Sequence, residues 1–353
     1  MDREGDRMIW KRVKDLVGGE IISEKIMGFG EHDVIATPGS VVDEDLKNKL
    51  LKRGIEWVLI DIPKKAGKSL IPEKALEEMK EKMKSIFDEA MKTFTVNTEG
   101  LKEISDQIVN EVLTNWGTKV LPLLLMAKSE DEYTYTHEVN VGVLSSMIAM
   151  QLGLNKDMIS KLTFSAIIHD IGKLKIPKEI LHAPRGLSEK EFELVKLHTI
   201  FGRQICESSG IKDEDVLSGV ESHHEKMDGS GYLKGLAGSD INLFARIIAA
   251  ADIYDALASK RAYKDPWSPH KVITELVTLS TLGKLDKKVV NAFISVVGIY
   301  PVGTVLILSN GSRAVVVGNK RKVLTRPIVE MENGMIVDLS ENEGNLNILK
   351  VID

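Results

Sequence analysis

A chain of 353 residues is long enough for two or three domains and a sizeable core, and its 43% hydrophobic and 28% charged content is that of an ordinary globular protein. A net charge of -5 leaves no basic footprint for a nucleic-acid polymer, although a small phosphate ligand needs only a local basic pocket. The single cysteine, Cys206, excludes an intramolecular disulfide and fits a reducing, cytoplasmic compartment. No apolar run of about 18 residues predicts a membrane span, and the charged N-terminus leads into no signal-peptide core.

Residues 1–64 read as a small α/β module. Short strands are expected at Glu20–Ser23, Asp33–Thr37 and Trp57–Ile62, with Gly18-Gly19 and Pro38-Gly39 as turns. A helix from Asp43 to Arg53 carries Leu46, Leu50 and Leu51 at helical spacing and stops at Gly54. Nothing in this module has site chemistry; it suits a regulatory, oligomerisation or passive structural role. Residues 65–98 read as a linker helix. After the basic stretch Lys64–Ser69, Met79, Met83, Ile86 and Met91 form one stripe, fit to bridge domains or to pair in a dimer.

Residues 99–300 are helical almost throughout. Helices are expected at Leu101–Leu113, Thr136–Leu152, Leu162–Ile171, Phe244–Ala258, His270–Leu279 and Lys287–Val296, with an apolar segment at Val120–Met126. Ser188 and Glu191 spell a capping box, and the helix they open carries Leu194, Val195, His198 and Phe201 on one face. Helices this dense, joined by short loops, make an all-α domain. Residues 301–353 change character. Val305–Leu308, Arg313–Val317 and Ile348–Ile352 are β-type runs, and Asn310-Gly311 and Asn333-Gly334 are hairpin signals.

Chemistry concentrates in the helical region. His137, His169, His198, His223 and His224 are five of the eight histidines, and Asp170 and Asp252 accompany them in apolar surroundings. One histidine on an apolar helix face is usually a hydrogen-bonded core residue; five with two aspartates argue for metal. Burying such carboxylates without a cation is costly. Imidazoles and carboxylates without thiolates suit Fe, Mn, Zn, Ni or Co rather than a structural Cys-type zinc site. Seven ligands exceed the need of one tetrahedral ion and suit two ions about 3.5–4 Å apart, bridged by a carboxylate, with a hydroxide between them as nucleophile. His32, His182 and His270 read as exposed loop or helix-start residues.

The ordered set of ligands, together with HDIGKLKIP at His169–Pro177, HHEKMDGSGY at His223–Tyr232, ADIYDAL at Ala251–Leu257, and Arg261, Tyr263 and Lys264, resembles the HD-GYP family of the HD phosphohydrolase superfamily. The match covers roughly residues 115 to 300. It implies a mainly α fold, an HD-type helical catalytic domain with small flanking modules. It implies hydrolysis of cyclic di-GMP to pGpG, or on to GMP. By position, His137, His169, Asp170 and Asp252 hold one ion, and Asp170, the bridge, with His198, His223 and His224 holds the other. Iron or manganese is the expected metal. Lys173 is then a contact to the scissile phosphate or a proton donor; a lysine four residues after a ligand histidine on a helical turn would in any case lie near the ions. Tyr232 stacks on a base or packs its loop, and Arg261 and Lys264 bind ligand. A homodimer and a diguanylate cyclase are the protein partners this implies.

Two positions depart from the family. Members with a third metal place a glutamate four residues before the first ligand histidine, where this chain has Tyr133. Glu132 is about 100° away around the helix, so two ions are expected. The family's Gly-Tyr-Pro reads Gly231, Tyr232, Leu233, which removes a fixed φ from a loop lining the site. Competing readings are a phosphodiesterase for a mixed GMP–AMP ring and a non-catalytic cyclic di-GMP-binding scaffold.

Overall fold

The computed structural model describes residues 7–16, 20–28, 33–62, 71–116, 130–181, 183, 185–259, 266–320, 323–341 and 346–352. The first strands are β1 (Arg7–Arg12), β2 (Ile21–Ile22), β3 (Ile26–Met27) and β4 (Val34–Ala36), followed by helix α1 (Glu44–Lys52) and strand β5 (Trp57–Ile62). β5 lies between β1 and β2, antiparallel to both, and β3 pairs with β4. Val13, Leu16, Ile22, Leu50, Val58 and Ile60 make the core of this part. β1 and β3 are absent from the sequence reading. Gly18-Gly19, His32 and Lys64–Ser69 lie outside the described residues.

Helices α2 (Glu73–Thr93), α3 (Thr98–Asn115), α4 (Glu130–Gln151) and α5 (Lys156–Ala166) come next. The apolar stripe of α2, with Met79, Met83 and Ile86 buried, is filled by α3 and α4 of the same chain. Helix α4 is the axis of the helical part. Every residue from Thr136 to Ala149 is buried. Val139, Val143 and Met147 pack into one core with α2 and α3, while Val141, Leu144 and Ile148 pack into a second core with α5 and later helices. Packing on all sides also buries the polar residues of this stretch, Glu138, Asn140, Ser145 and Ser146 among them. The expected segment Val120–Met126 lies outside the described residues.

Helix α5 stops at Ala166, short of the predicted Ile171. From there the chain tightens into i-to-i+3 turns: Ile168 N–H donates to Ser165, His169 to Ala166 and Ile171 to Ile168. A 3-10 turn then runs Ile171–Lys175. The tight winding lets Gly172 press its backbone onto the next helical layer. A Cβ there would fall inside contact distance of the His198 carbonyl oxygen and the Gly202 nitrogen.

α6 (Lys178–Leu181), α7 (Glu189–Lys196), α8 (His198–Ser208) and α9 (Glu214–Ser222) follow. The sequence expects one helix through His198, but the helix breaks at Leu197. At the break, the His198 ring donates to the Val195 carbonyl at 2.7 Å and the Thr199 hydroxyl to the Lys196 carbonyl at 3.1 Å. Side chains thus compete for the carbonyls a continuous helix would use. α9, unforeseen, carries Val216, Leu217 and Val220 at helical spacing behind an Asp213 cap. α10 (Leu243–Ala258), α11 (Pro269–Thr281) and α12 (Lys287–Val297) close the helical part around the second core. Asp43, Asn97, Asn155, Ser188, Asp213, Asn242, Ser268 and Asp286 each cap a helix with a side-chain oxygen on a backbone N–H.

Strands β6 (Val305–Leu308), β7 (Arg313–Lys320), β8 (Val323–Met331), β9 (Ile336–Asp338) and β10 (Ile348–Ile352) form an antiparallel sheet in the order β10-β6-β7-β8-β9. Gly311 and Gly334, at φ 82° and 76°, make the two turns that the Asn-Gly pairs predict. β8 is not anticipated, because Arg326 and Pro327 interrupt its apolar pattern. Among the described residues, no helix is long and apolar enough to cross a membrane.

The approach at Gly172 is testable. Gly172→Ala is expected to cost about 3 kcal/mol by overpacking, read as a lowered Tm. Gly186→Ala, with nothing within 4 Å of its new Cβ, should change stability by less than about 0.5 kcal/mol.

Candidate metal centre

Five elements converge on one point. α4 supplies His137 from its buried middle, and the turn after α5 supplies His169 and Asp170. His198 is the first residue of α8, His223 and His224 follow the last turn of α9, and Asp252 lies on α10. All seven predicted ligands come together. His137, His169 and Asp252 form one group, and Asp170, His198, His223 and His224 another, with the ligating atoms of each group within 4.8 Å of one another.

Asp170 stands between the groups and turns one oxygen to each. Its Oδ1 lies 3.3 Å from His198 Nε2 and 3.8 Å from His223 Nε2. Its Oδ2 lies 3.6 Å from His169 Nε2 and 3.9 Å from His137 Nε2. Asp252 Oδ1 completes the first group, 3.3 Å from His137 Nε2 and 4.0 Å from His169 Nε2.

The rings are oriented from behind. His169, His198 and His223 each direct Nδ1 at the carbonyl three residues earlier, of Ala166, Val195 and Val220, at 2.9, 2.7 and 2.8 Å. With the proton on Nδ1, each Nε2 lone pair faces the shared space, which is the tautomer a metal needs. His137 uses a carboxylate instead: its Nδ1 lies 2.7 Å from Asp255 Oδ2, while Asp255 Oδ1 accepts from Asn140 Nδ2 at 2.7 Å. Glu138, fully buried, lies 3.0 Å from His169 Nδ1. The sequence reading passed over both acids.

Charge in this pocket is poised for cations. Burial pushes the His223 imidazole well below its ordinary value and takes His224 down to about 3, so both stay neutral and able to ligate. Burial also opposes charge on His169, but Glu138 and Asp170 outweigh it and raise that ring to about 9. Asp170 resists burial in the same way, held well below the usual carboxylate range by Lys173 and the surrounding imidazoles. The Lys173 ammonium pairs directly with Asp170 Oδ2. It sits on a 3-10 turn rather than the expected helical one.

The residues fit a metal. His169 Nε2 and Asp170 Oδ1 are buried with no hydrogen-bond partner, though both face the centre. Groups so placed are expensive unless a cation meets them. The donor set, imidazole and carboxylate without thiolate, suits a divalent first-row ion.

Tyr232 flanks the centre, its ring 4.8 Å from that of His224. Contacts within the chain hold the loop that bears it. The buried Glu225 carboxylate accepts the N–H of Lys234 at 2.7 Å and of Leu236 at 3.1 Å. Asp228 accepts from Ser230 N–H and hydroxyl. Gly231 lies so close over Glu225 that a Cβ would strike its backbone. The Tyr232–Leu233 peptide bond is cis. Arg261 and Lys264 lie outside the described residues, as do Tyr263, His182 and the side chain of Tyr133. His270 is the second residue of α11 and stacks on Tyr300 at 5.7 Å.

A family model described as HD domain matches residues 119–289. Over 247 residues the chain is 34% identical to the cyclic di-GMP phosphodiesterase PA4108 of Pseudomonas aeruginosa, covering 70% of this chain and 59% of that protein. Over 184 residues it is 35% identical to 3'3'-cGAMP-specific phosphodiesterase 1 of Vibrio cholerae, covering 48% and 40%. The structure of Bd1817, a HDG"Y"P protein from Bdellovibrio bacteriovorus, aligns with a TM-score of 0.50 over 81% of this chain and 98% of its own. At 18% identity that likeness is one of fold. The chain belongs to the HD-GYP branch of the HD domain family. It spans 59% and 40% of the lengths of the two curated relatives above.

Asp255 gives a direct test of the outer contacts. Asp255→Asn sets an amide against either His137 or Asn140 and removes a charge. Metal titration of the metal-free protein should show affinity lowered about 10- to 100-fold, with helix content unchanged by circular dichroism.

Proposed function

We propose that this chain is a metal-dependent phosphodiesterase that hydrolyses cyclic di-GMP to pGpG, to GMP, or to both. The observation that carries this reading is Asp170, a single carboxylate presenting separate oxygens to two imidazole groups. Iron or manganese best suits the donor set, in two positions with Asp170 between them. When bound, two such ions supply a water nucleophile ionised at neutral pH and offset the charge of a diester during in-line displacement.

The protein's own groups do the rest. His137, His169, His198 and His223 hold their Nε2 atoms inward because their Nδ1 positions are already engaged. Asp170 shares Oδ2 between Lys173 and the rings of His137 and His169. The Lys173 ammonium, held at that oxygen beside the ligand groups, would meet the scissile phosphate. As an ammonium it suits electrostatic stabilisation of the diester or proton donation to the leaving oxygen. Tyr232 has a hydroxyl held neutral by burial and by Asp170 and Asp252, which suits packing against a base rather than ionic chemistry. Arg261 and Lys264 belong to this reading as contacts to phosphate or to a guanine edge.

A second substrate has its own support, since the Vibrio cholerae relative is named as specific for 3'3'-cGAMP. A binding protein without turnover is disfavoured by the complete ligand set and by Lys173 at the bridge. This substrate class places the action in the cytoplasm, with a second copy of the chain and a diguanylate cyclase as expected protein partners.

Anaerobic purification with metal analysis, then product chromatography with added Mn or Fe(II), tests the reading on both dinucleotides. Two ions per chain and release of pGpG or GMP are expected. His169→Ala and Asp170→Asn should lose bound metal and lower turnover by about 10³-fold or more. Full activity in either variant would sink the mechanism.

A further inference from the structure

Helix α7 lies beside the metal centre but contributes no buried residue. Its shape comes from local contacts. Ser188 and Glu191 close a capping box, and Arg185 grips the Glu191 carboxylate with both terminal nitrogens, at 2.8 and 2.7 Å. This is a locally capped helix at the edge of the site, whose largest apolar side chain is partly exposed. Phe192 is 45% exposed.

The surroundings of Phe192 distinguish it from a stray surface apolar residue, which would need no explanation. Its ring meets Tyr232 edge to face, with centroids 6.3 Å apart and planes at 78°. Tyr232 in turn leans on the ring of His224, 4.8 Å away at 32°. A row of three rings therefore leads from a candidate ligand histidine outward to solvent. Lys196 sits in the corner of the outer two, its Nζ 4.9 Å from the Phe192 centroid and 5.6 Å from that of Tyr232. Glu193 pairs with the same ammonium at 2.5 Å, so its charge is partly offset, which suits a cation against π-faces better than a phosphate anchor.

We infer that Phe192, with Lys196 and Tyr232, forms a stacking site for a purine base of the dinucleotide. The inference rests on the phosphodiesterase reading and adds a specific affinity determinant to it. A diester held at the metal centre carries bases that must leave the polar pocket. The aromatic row is a surface of matching chemistry next to it. Stacking accepts any base with a π-face. Phe192 therefore strengthens binding of cyclic di-GMP and 3'3'-cGAMP alike, and discrimination between guanine and adenine falls to other residues.

Steady-state kinetics with the full chain and Mn tests this. Phe192→Ala should raise KM about ten-fold for both dinucleotides while kcat changes by less than about two-fold. Phe192→Trp should restore KM, whereas Phe192→Leu, with apolar bulk but no π-face, should not. An unchanged KM in Phe192→Ala, or equal restoration by Leu and Trp, overturns the inference and leaves the phosphodiesterase reading standing. If the unsubstituted protein cleaves bis(p-nitrophenyl) phosphate but neither dinucleotide, the substrate reading falls and the stacking site falls with it.

Discussion

A carboxylate buried among imidazoles from four different segments constrains everything around it. Asp170 must reach rings carried by α8 and α9 with one oxygen, and rings from α4 and from its own neighbour with the other. An α-helical continuation of α5 would swing it out of that position. The tightened winding after Ala166 keeps it there, and the missing side chain at Gly172 lets the winding lie directly on α8. Buried ions are stable only when compensated by opposite charge and hydrogen bonds. Lys173 supplies both at Oδ2, and Oδ1 is left facing the centre without a hydrogen-bond partner.

The two ligand groups are built by different means. In one, His198 and His223 are steered by backbone carbonyls near helix ends, groups that have no charge and would otherwise seek water. In the other, His169 is steered by a carbonyl in the same way, but it and His137 also have carboxylates beside their outer nitrogens, Glu138 and Asp255. The two groups therefore differ in what stands behind them although their inner residues are of the same kinds.

The sequence pointed to the candidate ligands because an imidazole in an apolar helix is conspicuous, and because five of them with two aspartates in one region argue against satisfied core residues. It also revealed most helices, since caps such as Ser188 and Asp43 mark their starts by chemistry. The supporting residues were hidden by their ordinariness. Asp255 looks like any acid near a helix end, Glu225 like a surface residue of a loop, and Phe192 like one more apolar position on an amphipathic helix. Only the fold shows which atoms they face. The break at Leu197 was invisible for a related reason: it depends on side chains taking carbonyls, and local apolar spacing carries no record of that. Strand β8 was lost to Pro327, which is read as an interruption although the fold accommodates it.

Asp252 and Asp255 lie three residues apart on α10 and touch the same ring, Asp252 at the Nε2 of His137 and Asp255 at its Nδ1. One helix thus grips one imidazole at both nitrogens. A half-turn of that ring would swing carbon atoms into both places, so the two contacts would be lost together. α4 and α10 are in this sense keyed to each other through a single side chain, and the alignment of the two central helices and the orientation of a ligand become one and the same property.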